Sequence, residues 1–271
     1  MRNLTKLGSY ISKRIGKAIE DYNLIEDKDK ILVAVSGGKD SLAMLKLLNE
    51  RRKWAPVDYK LFAVHIETDL SCVGVHKKNL KKIFEDAGIP YSFEKIKILD
   101  KGKKTNCFWC SWNRRKALFT LAAKKGCTKV ALGHHQDDII ETLLLNLFYH
   151  GEFSAMNARQ ELFGGKIVII RPLCYVEEDV LRRFARESGF PIQSCGCPNS
   201  QISKRRMMKD FIKKVEKDCS YAKLNLFKSI VRVNKEYTQI NKIYVKGGEH
   251  NGRESCKGRV EAQEGLSLLR R

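Results

Sequence analysis

Short apolar runs alternate with helix-length amphipathic stretches along most of the chain, and this alternation restricts the fold more than any other feature. The runs at 31–35, 60–66, 91–98, 129–133 and 166–170 are strand-like and bounded by polar residues or glycine. Between and after them, 41–52, 76–88, 111–125, 138–149 and 177–189 have the length and 3.6-residue period of helices. Strand and helix in strict turn predict an α/β fold, a doubly wound parallel sheet covered by helices on both faces. Ligands of such sheets bind beyond the carboxyl ends of the strands, so the chemistry is sought there.

The two ends of the chain differ from this pattern. In residues 1–22, Arg2, Lys6, Lys13, Arg14 and Lys17 interleave with Leu7, Ile11, Ile15 and Ile19, the spacing of a basic amphipathic helix that docks on a core. An Arg-rich targeting peptide is the competing reading, but Glu20 and Asp21 follow at once. After Pro191 a cysteine-bearing loop leads into 203–217, a helical extension carrying Lys204, Arg205, Arg206, Lys209, Lys213, Lys214 and Lys217. The stretch 247–271 is rich in glycine and charge and reads as a loosely ordered tail. The expected division is a basic N-terminal helix at 1–24, a main domain at 25–218, and a C-terminal helix with its tail at 219–271. At 271 residues the chain is long enough to bury roughly three quarters of its unfolded surface.

Lysine and arginine number 52 against 31 acids, a formal charge of +21. Such an excess points to a polyanionic partner, nucleic acid first and an anionic membrane surface second. No apolar run approaches the roughly 20 residues needed to span a bilayer. Basic clusters at 77–82, 101–104, 114–116 and 204–217 are interleaved with Phe108, Trp109 and Trp112. A solvated face explains any one cluster, whereas their sum suits phosphate neutralisation with rings stacking on splayed bases. The tryptophans are equally able to shield a core. Nine cysteines without an export signal indicate a reducing compartment, here the cytoplasm.

Ser36-Gly37-Gly38-Lys39-Asp40-Ser41 follows the first strand and opens a helix near Leu42, the context of a phosphate-binding loop. The glycines permit a tight turn, and the helix N-terminus offers amide hydrogens with about half a positive charge. Ser36 and Ser41 add hydroxyls and Lys39 a cation, but the glycine and Lys-Ser spacing of a Walker A loop is absent. Asp40 inside an anion cradle repels phosphate unless a divalent cation lies between them, which implies magnesium on Asp40. The plain alternative is a strand-to-helix turn with an aspartate near the N-cap. His65 and Gly133, near the ends of their strands, are assigned to the same nucleotide site.

Gly133-His134-His135-Gln136-Asp137-Asp138 is a second strand end meeting a helix start, followed by the apolar face of Ile139, Ile140, Leu143, Leu144, Leu147 and Phe148. Asp137 as a cap for this helix accounts for one aspartate, and Asp138 is the candidate for polarising a metal or substrate. Cys107-Phe108-Trp109-Cys110 precedes the helix at 111–125, and Cys195-Gly196-Cys197 precedes the basic helix. Structural zinc on these four thiols, a dithiol sulfur relay, an iron–sulfur cluster and plain buried thiols all fit. Cys72, Cys127, Cys174, Cys219 and Cys256 have no partner at ligand spacing and read as core or surface thiols.

Residues 36–41 resemble the PP-loop of the N-type ATP pyrophosphatases, and the second motif through Glu141 and Thr142 resembles the matching segment of that superfamily. Over roughly 24–212 the chain is similar to the tRNA 2-thiocytidine synthetase (TtcA) family. The residues that carry this are 36–41, 107–117, 133–146, Ile170-Arg171-Pro172-Leu173, and Cys197 with its basic helix. The resemblance implies a [4Fe-4S] cluster on Cys107, Cys110 and Cys197, with one iron lacking a protein ligand and able to carry hydrosulfide. Counting back from Lys209-Asp210 places the family's later cysteine on Cys197, with Ser194 rather than Cys195 at its usual neighbour's position. The chain departs from the best-known members at Pro198-Asn199-Ser200-Gln201, where they have Gly-Ser-Gln.

The implied activity is ATP-dependent tRNA sulfur transfer, 2-thiolation of the cytidine at position 32. The base oxygen attacks the α-phosphorus, and Arg114, four residues after Cys110, stabilises the charge, so that Asp40, Arg114 and Asp138 are the catalytic candidates. The implied partners are the tRNA anticodon stem-loop and a sulfur donor, a cysteine desulfurase or free sulfide, and a homodimer is compatible. Uridine thiolases with an N-terminal zinc finger are the first alternative, set back because no cysteine precedes Cys72. Lysidine-forming relatives lack the cysteine triplet. A zinc or iron–sulfur RNA-binding or redox-sensing protein that keeps the fold without the reaction is the alternative of a different class.

Overall fold

The structure, a computed structural model, describes residues 4–69, 77–97, 107–190 and 204–233, the side chains of Cys107 and Phe108 excepted. The expected tail at 247–271, the basic cluster at 101–104, and Cys72, Cys195, Cys197 and Cys256 lie outside the described residues. Residues Met1–Ile230 form one compact unit.

Helix α1 (Lys6–Tyr22) is capped by Thr5, whose hydroxyl accepts from Gly8 N at 3.0 Å, and ends where Asn23 turns left-handed. Ile11, Ile15 and Ala18 are fully buried, so the basic segment docks on the core as its apolar spacing implies. The chain continues as β1 (Asp29–Ala34), α2 (Lys39–Arg51), β2 (Tyr59–Thr68), α3 (Lys77–Asp86), β3 (Tyr91–Ile96), α4 (Cys107–Lys124) and β4 (Lys129–Ala131). It then forms α5 (Gln136–His150), β5 (Arg159–Leu162), β6 (Ile167–Ile170), α6 (Glu178–Glu187), α7 (Lys204–Asp218) and α8 (Ala222–Ser229).

The six strands lie in the order β3-β2-β1-β4-β6-β5. All neighbours are parallel except β5, which runs antiparallel to β6 with Gln160 opposite Ile169. That edge strand has no counterpart in the sequence reading, because Arg159-Gln160-Glu161 is polar where an edge faces water and so reads as loop. A second difference concerns Cys107 to Cys110, which form the first turn of α4 rather than a loop before it. No glycine or proline separates them from the helix, so its period extends backward.

Both faces of the sheet are covered, as a doubly wound fold requires. Ile31 and Val33 of β1 pack in the layer of α1, α2, α3 and α6, while Leu32 between them packs with Leu118, Leu121 and Ala122 of α4. This alternation is the period of two that a strand imposes. A smaller seam of Ile140, Leu144, Met208 and Ile212 fastens α7 to α5. No helix among the described residues is long and apolar enough to cross a membrane. Chain order reverses between β1 and β4, so their carboxyl ends open the crevice in which such sheets bind ligands.

Candidate functional site

Both sequence motifs leave the sheet at this crevice. After β1 the chain turns at Gly37, whose φ of 87° is rarely accessible to a residue with a Cβ. Ser36 Oγ accepts from Gly38 N at 3.3 Å and lies 3.1 Å from Ser41 Oγ, which donates to Gly38 O at 2.9 Å. The loop is closed by its own hydroxyls. Gly38 is the N-cap of α2 and provides no side-chain cap, so the first amides of the helix point out of the fold at its positive end. That is a cradle for an anion, and it fits a nucleotide phosphate.

His65 and Gly133 support the cradle from two sides. The His65 ring is buried, and its Nδ1 donates to Val35 O at 2.7 Å, directly before the loop. Burial lowers its pKa, which keeps the imidazole neutral. Gly133 touches the start of α2: a Cβ there would lie 3.2 Å from both the Cα and the N of Ser41.

Lys39 Nζ lies 3.0 and 2.8 Å from the two Asp40 oxygens and 3.2 Å from Glu178 Oε1. Burial alone would lower the Lys39 pKa, but Asp40 and Glu178 outweigh it and the ammonium stays charged. Burial likewise pushes the Glu178 carboxyl up, yet a hydrogen bond from Lys209 and the charge of Lys39 bring it well below the usual carboxylate range. The acid inside the cradle is therefore partly balanced by the lysine beside it.

His135 joins the two motifs. As N-cap of α5 it accepts from Asp138 N through Nδ1 at 3.4 Å, while Asp138 Oδ2 accepts from His135 N at 3.0 Å, a reciprocal capping box. With Nδ1 accepting, the hydrogen is assigned to Nε2, which lies 3.4 Å from Asp138 Oδ2 and 3.9 Å from Asp40 Oδ2. Two aspartates distant in sequence thus meet on one imidazole. Asp137 does not cap α5. It lies inside that helix, and its Oδ2 accepts from Glu178 N at 2.7 Å at the start of α6.

Two arginines, Arg205 and Arg171, converge on the second motif. Arg205 Nη1 donates to Asp138 Oδ1 at 3.1 Å and Nη2 to Thr142 Oγ1 at 3.3 Å, with Nε 3.7 Å from Glu141 Oε2. Burial would raise the Asp138 pKa, but His135, His134 and Arg205 together lower it. Glu141 is pushed up to about 7 by burial and by the Asp138 charge. Arg171 is buried, and donates to His134 Nδ1 at 3.3 Å and to Asn157 O. Arg114 reaches Thr68 Oγ1 at 3.4 Å, and its buried Nε has no hydrogen-bond partner.

Of the three expected cluster thiols, Cys110 is described and half-buried in the first turn of α4, beside the stacked rings of Trp109 and Trp112, 5.3 Å apart. The Cys107 side chain and Cys197 lie outside the described residues. Among the described residues no three His, Cys, Asp or Glu side chains group to hold a metal. A thiol in the first turn of a helix lies at the positive end of the helix dipole, which favours the thiolate form that an iron ligand needs. Cys127 and Cys174 are core residues, and Cys219 is exposed.

Sequence reasoning missed His135, Glu178, Arg205 and Lys209 as members of this network. A signal for two of them existed: Met208 and Ile212, four apart, mark the buried face of α7 and place Arg205 and Lys209 beside it. Glu178 gave none, since only the fold brings α6 to the loop. The crevice between α5, α6, α7 and α8, lined by Asp137, Glu178, Lys209 and Lys223, has a volume of about 110 Å³. It is too small for a nucleotide, whose pockets run to about 300–1,000 Å³.

Comparison with known proteins places this geometry. A family model described as the PP-loop domain matches residues 7–194. A tRNA-cytidine(32) 2-sulfurtransferase of Polynucleobacter asymbioticus is 40% identical over 83% of this chain and 76% of its own. Another, from Geotalea uraniireducens, is 38% identical over 86% and 94%. Among solved structures, the U34-tRNA thiolase NcsA from Methanococcus maripaludis with its [4Fe-4S] cluster superposes with a TM-score of 0.68 at 23% identity, covering 83% of this chain and 78% of that one. At that identity the likeness is one of fold.

Proposed function

The chain belongs to the PP-loop family of tRNA-cytidine(32) 2-sulfurtransferases, and from that premise we propose that it uses ATP to adenylate cytidine 32 of tRNA and replaces the carbonyl oxygen with sulfur. The observation that carries this reading is the meeting of Asp40 and Asp138 on His135, beside a helix N-terminus with no side-chain cap. A loop that only binds phosphate has no use for two converging carboxylates. A magnesium-dependent attack on the α-phosphorus needs both the cation and a group to orient the nucleophile.

In this scheme Ser36 to Ser41 and the α2 amides hold the phosphates, with Lys39 released from Glu178 toward them and Asp40 holding magnesium. His65 and Gly133 keep the loop in place. Asp138, oriented by His135 and Arg205, polarises the base or the metal. The carbonyl oxygen forms a bond to the α-phosphorus as pyrophosphate leaves, which turns a poor leaving group into AMP. Arg114, whose buried Nε lacks a partner, meets the charge that develops. A [4Fe-4S] cluster on Cys107, Cys110 and Cys197 would supply inorganic sulfur for addition at the activated carbon. We assign the protein to the cytoplasm, the anticodon stem-loop as its substrate region, and a cysteine desulfurase or sulfide as the donor.

The test combines two variants. Asp40→Ala is expected to lose tRNA-dependent conversion of ATP to AMP. Cys197→Ala is expected to retain it while losing 2-thiocytidine in nucleoside digests. Normal thiolation by iron-free protein would refute the cluster role, and absence of AMP formation with unmodified tRNA would refute the reaction.

A further inference from the structure

Helix α7 has a face that the site does not use. At 100° per residue, Lys204, Met207, Phe211 and Lys214 fall within one stripe, next to the buried Met208 and Ile212 but turned to solvent. The end of α5 lies against this stripe. Phe148 meets Phe211 edge to face at 6.0 Å, Tyr149 Oη donates to Met207 Sδ at 3.5 Å, and Lys204 Nζ stands 4.1 Å over the Tyr149 ring. Yet Phe148 is 62% exposed, Met207 57%, Phe211 43% and Tyr149 37%. Four large apolar side chains gathered on the surface, with a lysine at each end, constitute a binding patch rather than a core.

We propose that this α5–α7 platform binds single-stranded nucleotides of the tRNA loop, stacking bases on Phe148, Phe211 and Tyr149 and pairing phosphates with Lys204 and Lys214; the inference rests on tRNA being the substrate. Charge selects RNA over a second copy of the chain. Helix α7 carries seven lysines and arginines against three acids, and apposing two such faces across a two-fold axis would set like charges together. A polyanion with exposed rings matches both the lysines and the aromatics. From Lys204 to Lys214 the stripe is roughly 15 Å long, about four stacked bases at 3.4 Å each. Position agrees as well, since Arg205, the neighbour of Lys204, holds Asp138. A strand lying on the platform therefore ends near the carboxylate proposed to meet the base.

The experiment measures binding of unmodified tRNA by fluorescence anisotropy, with ATP binding and sedimentation in parallel, on the full-length protein. Phe148→Ala combined with Phe211→Ala is expected to weaken tRNA binding about tenfold or more and leave ATP affinity unchanged. Phe211→Trp, which keeps a stacking surface, is expected to bind like the parent. Lys204→Gln with Lys214→Gln, which leaves the apolar contacts untouched, is expected to flatten the slope of log K against log salt by about 1.4, or roughly 0.7 per phosphate contact. If the parent binds tRNA and the double alanine variant binds it equally, the platform assignment is overturned. The same holds if that variant changes only the sedimenting species from dimer to monomer. If the parent itself fails to bind tRNA, the substrate reading falls together with the platform.

Discussion

Gly133 owes its identity to contact rather than to turn geometry. Its φ is ordinary, but a methyl group would press on the backbone of Ser41 at 3.2 Å, and backbone cannot rotate aside as a side chain can. Gly133→Ala is expected to displace the phosphate loop and raise the KM for ATP about tenfold, with a stability loss of about 1–3 kcal/mol, both read by ATP titration and denaturant melts. The two aspartates that follow show the limits of residue-level reading. The sequence separates Asp137 from Asp138 only as cap and polarising group and names the partners of neither: one receives the amide of Glu178 in another helix and the other faces His135 and Arg205. Which neighbour each meets depends on helix phase, because successive residues on a helix point about 100° apart.

At the scale of elements, α1 illustrates how much periodicity alone conveys. The spacing of Leu7, Ile11, Ile15 and Ile19 marks a docking stripe, of which Ile11 and Ile15 are fully enclosed and Leu7 and Ile19 half-buried against the core. Ile15→Ala is expected to cost about 2–5 kcal/mol in urea unfolding while leaving Asp40, His135 and Asp138 in place, since the cavity opens on the α1–α2 side of the sheet. The strands β1, β2, β4 and β6 were legible because buried parallel strands are largely apolar, and the edge strand β3 because Tyr91, Phe93 and Ile96 keep it partly apolar. The antiparallel β5 was not, because half of an edge strand faces water. The Cys107 turn of α4 was misplaced by four residues for the same kind of reason: helix starts without a recognisable cap are the weakest signals in a sequence. The basic helix α7 was legible as a helix, but its charges alone read as a solvated or phosphate-neutralising cluster. In the structure Arg205 and Lys209 turn inward to Asp138 and Glu178.

For the molecule as a whole, the buried Glu141 and the half-buried Glu178 oppose one another in the response to pH. Glu178 is held below its ordinary value of 4.5, so its stabilisation is complete above that pH and is lost as pH falls through and below it. Glu141 is raised to about 7 from 4.5, so the cost of its ionisation accrues as pH rises between those values. Thermal melts across pH are expected to show a flatter acid limb for Glu178→Gln. Glu141→Gln is expected to be more stable than the parent at about pH 8, by about 1–3 kcal/mol, and little different near pH 4. If neither variant alters the shape of the curve, the network does not carry the titration.

The amino-acid order by itself determined the five parallel strands, their helical cover, the glycine turn after β1 and the pairing of strand end with helix start, because those follow from periods of two and 3.6 and from glycine at tight turns. Tertiary structure alone decided that Glu178 and Arg205 share a site with Lys39 and Asp138, and that Phe148, Met207 and Phe211 gather on the surface. The reason is physical: local pattern encodes which face of an element is apolar. The partner that face meets, and the phase in which it meets it, are set by packing the whole chain.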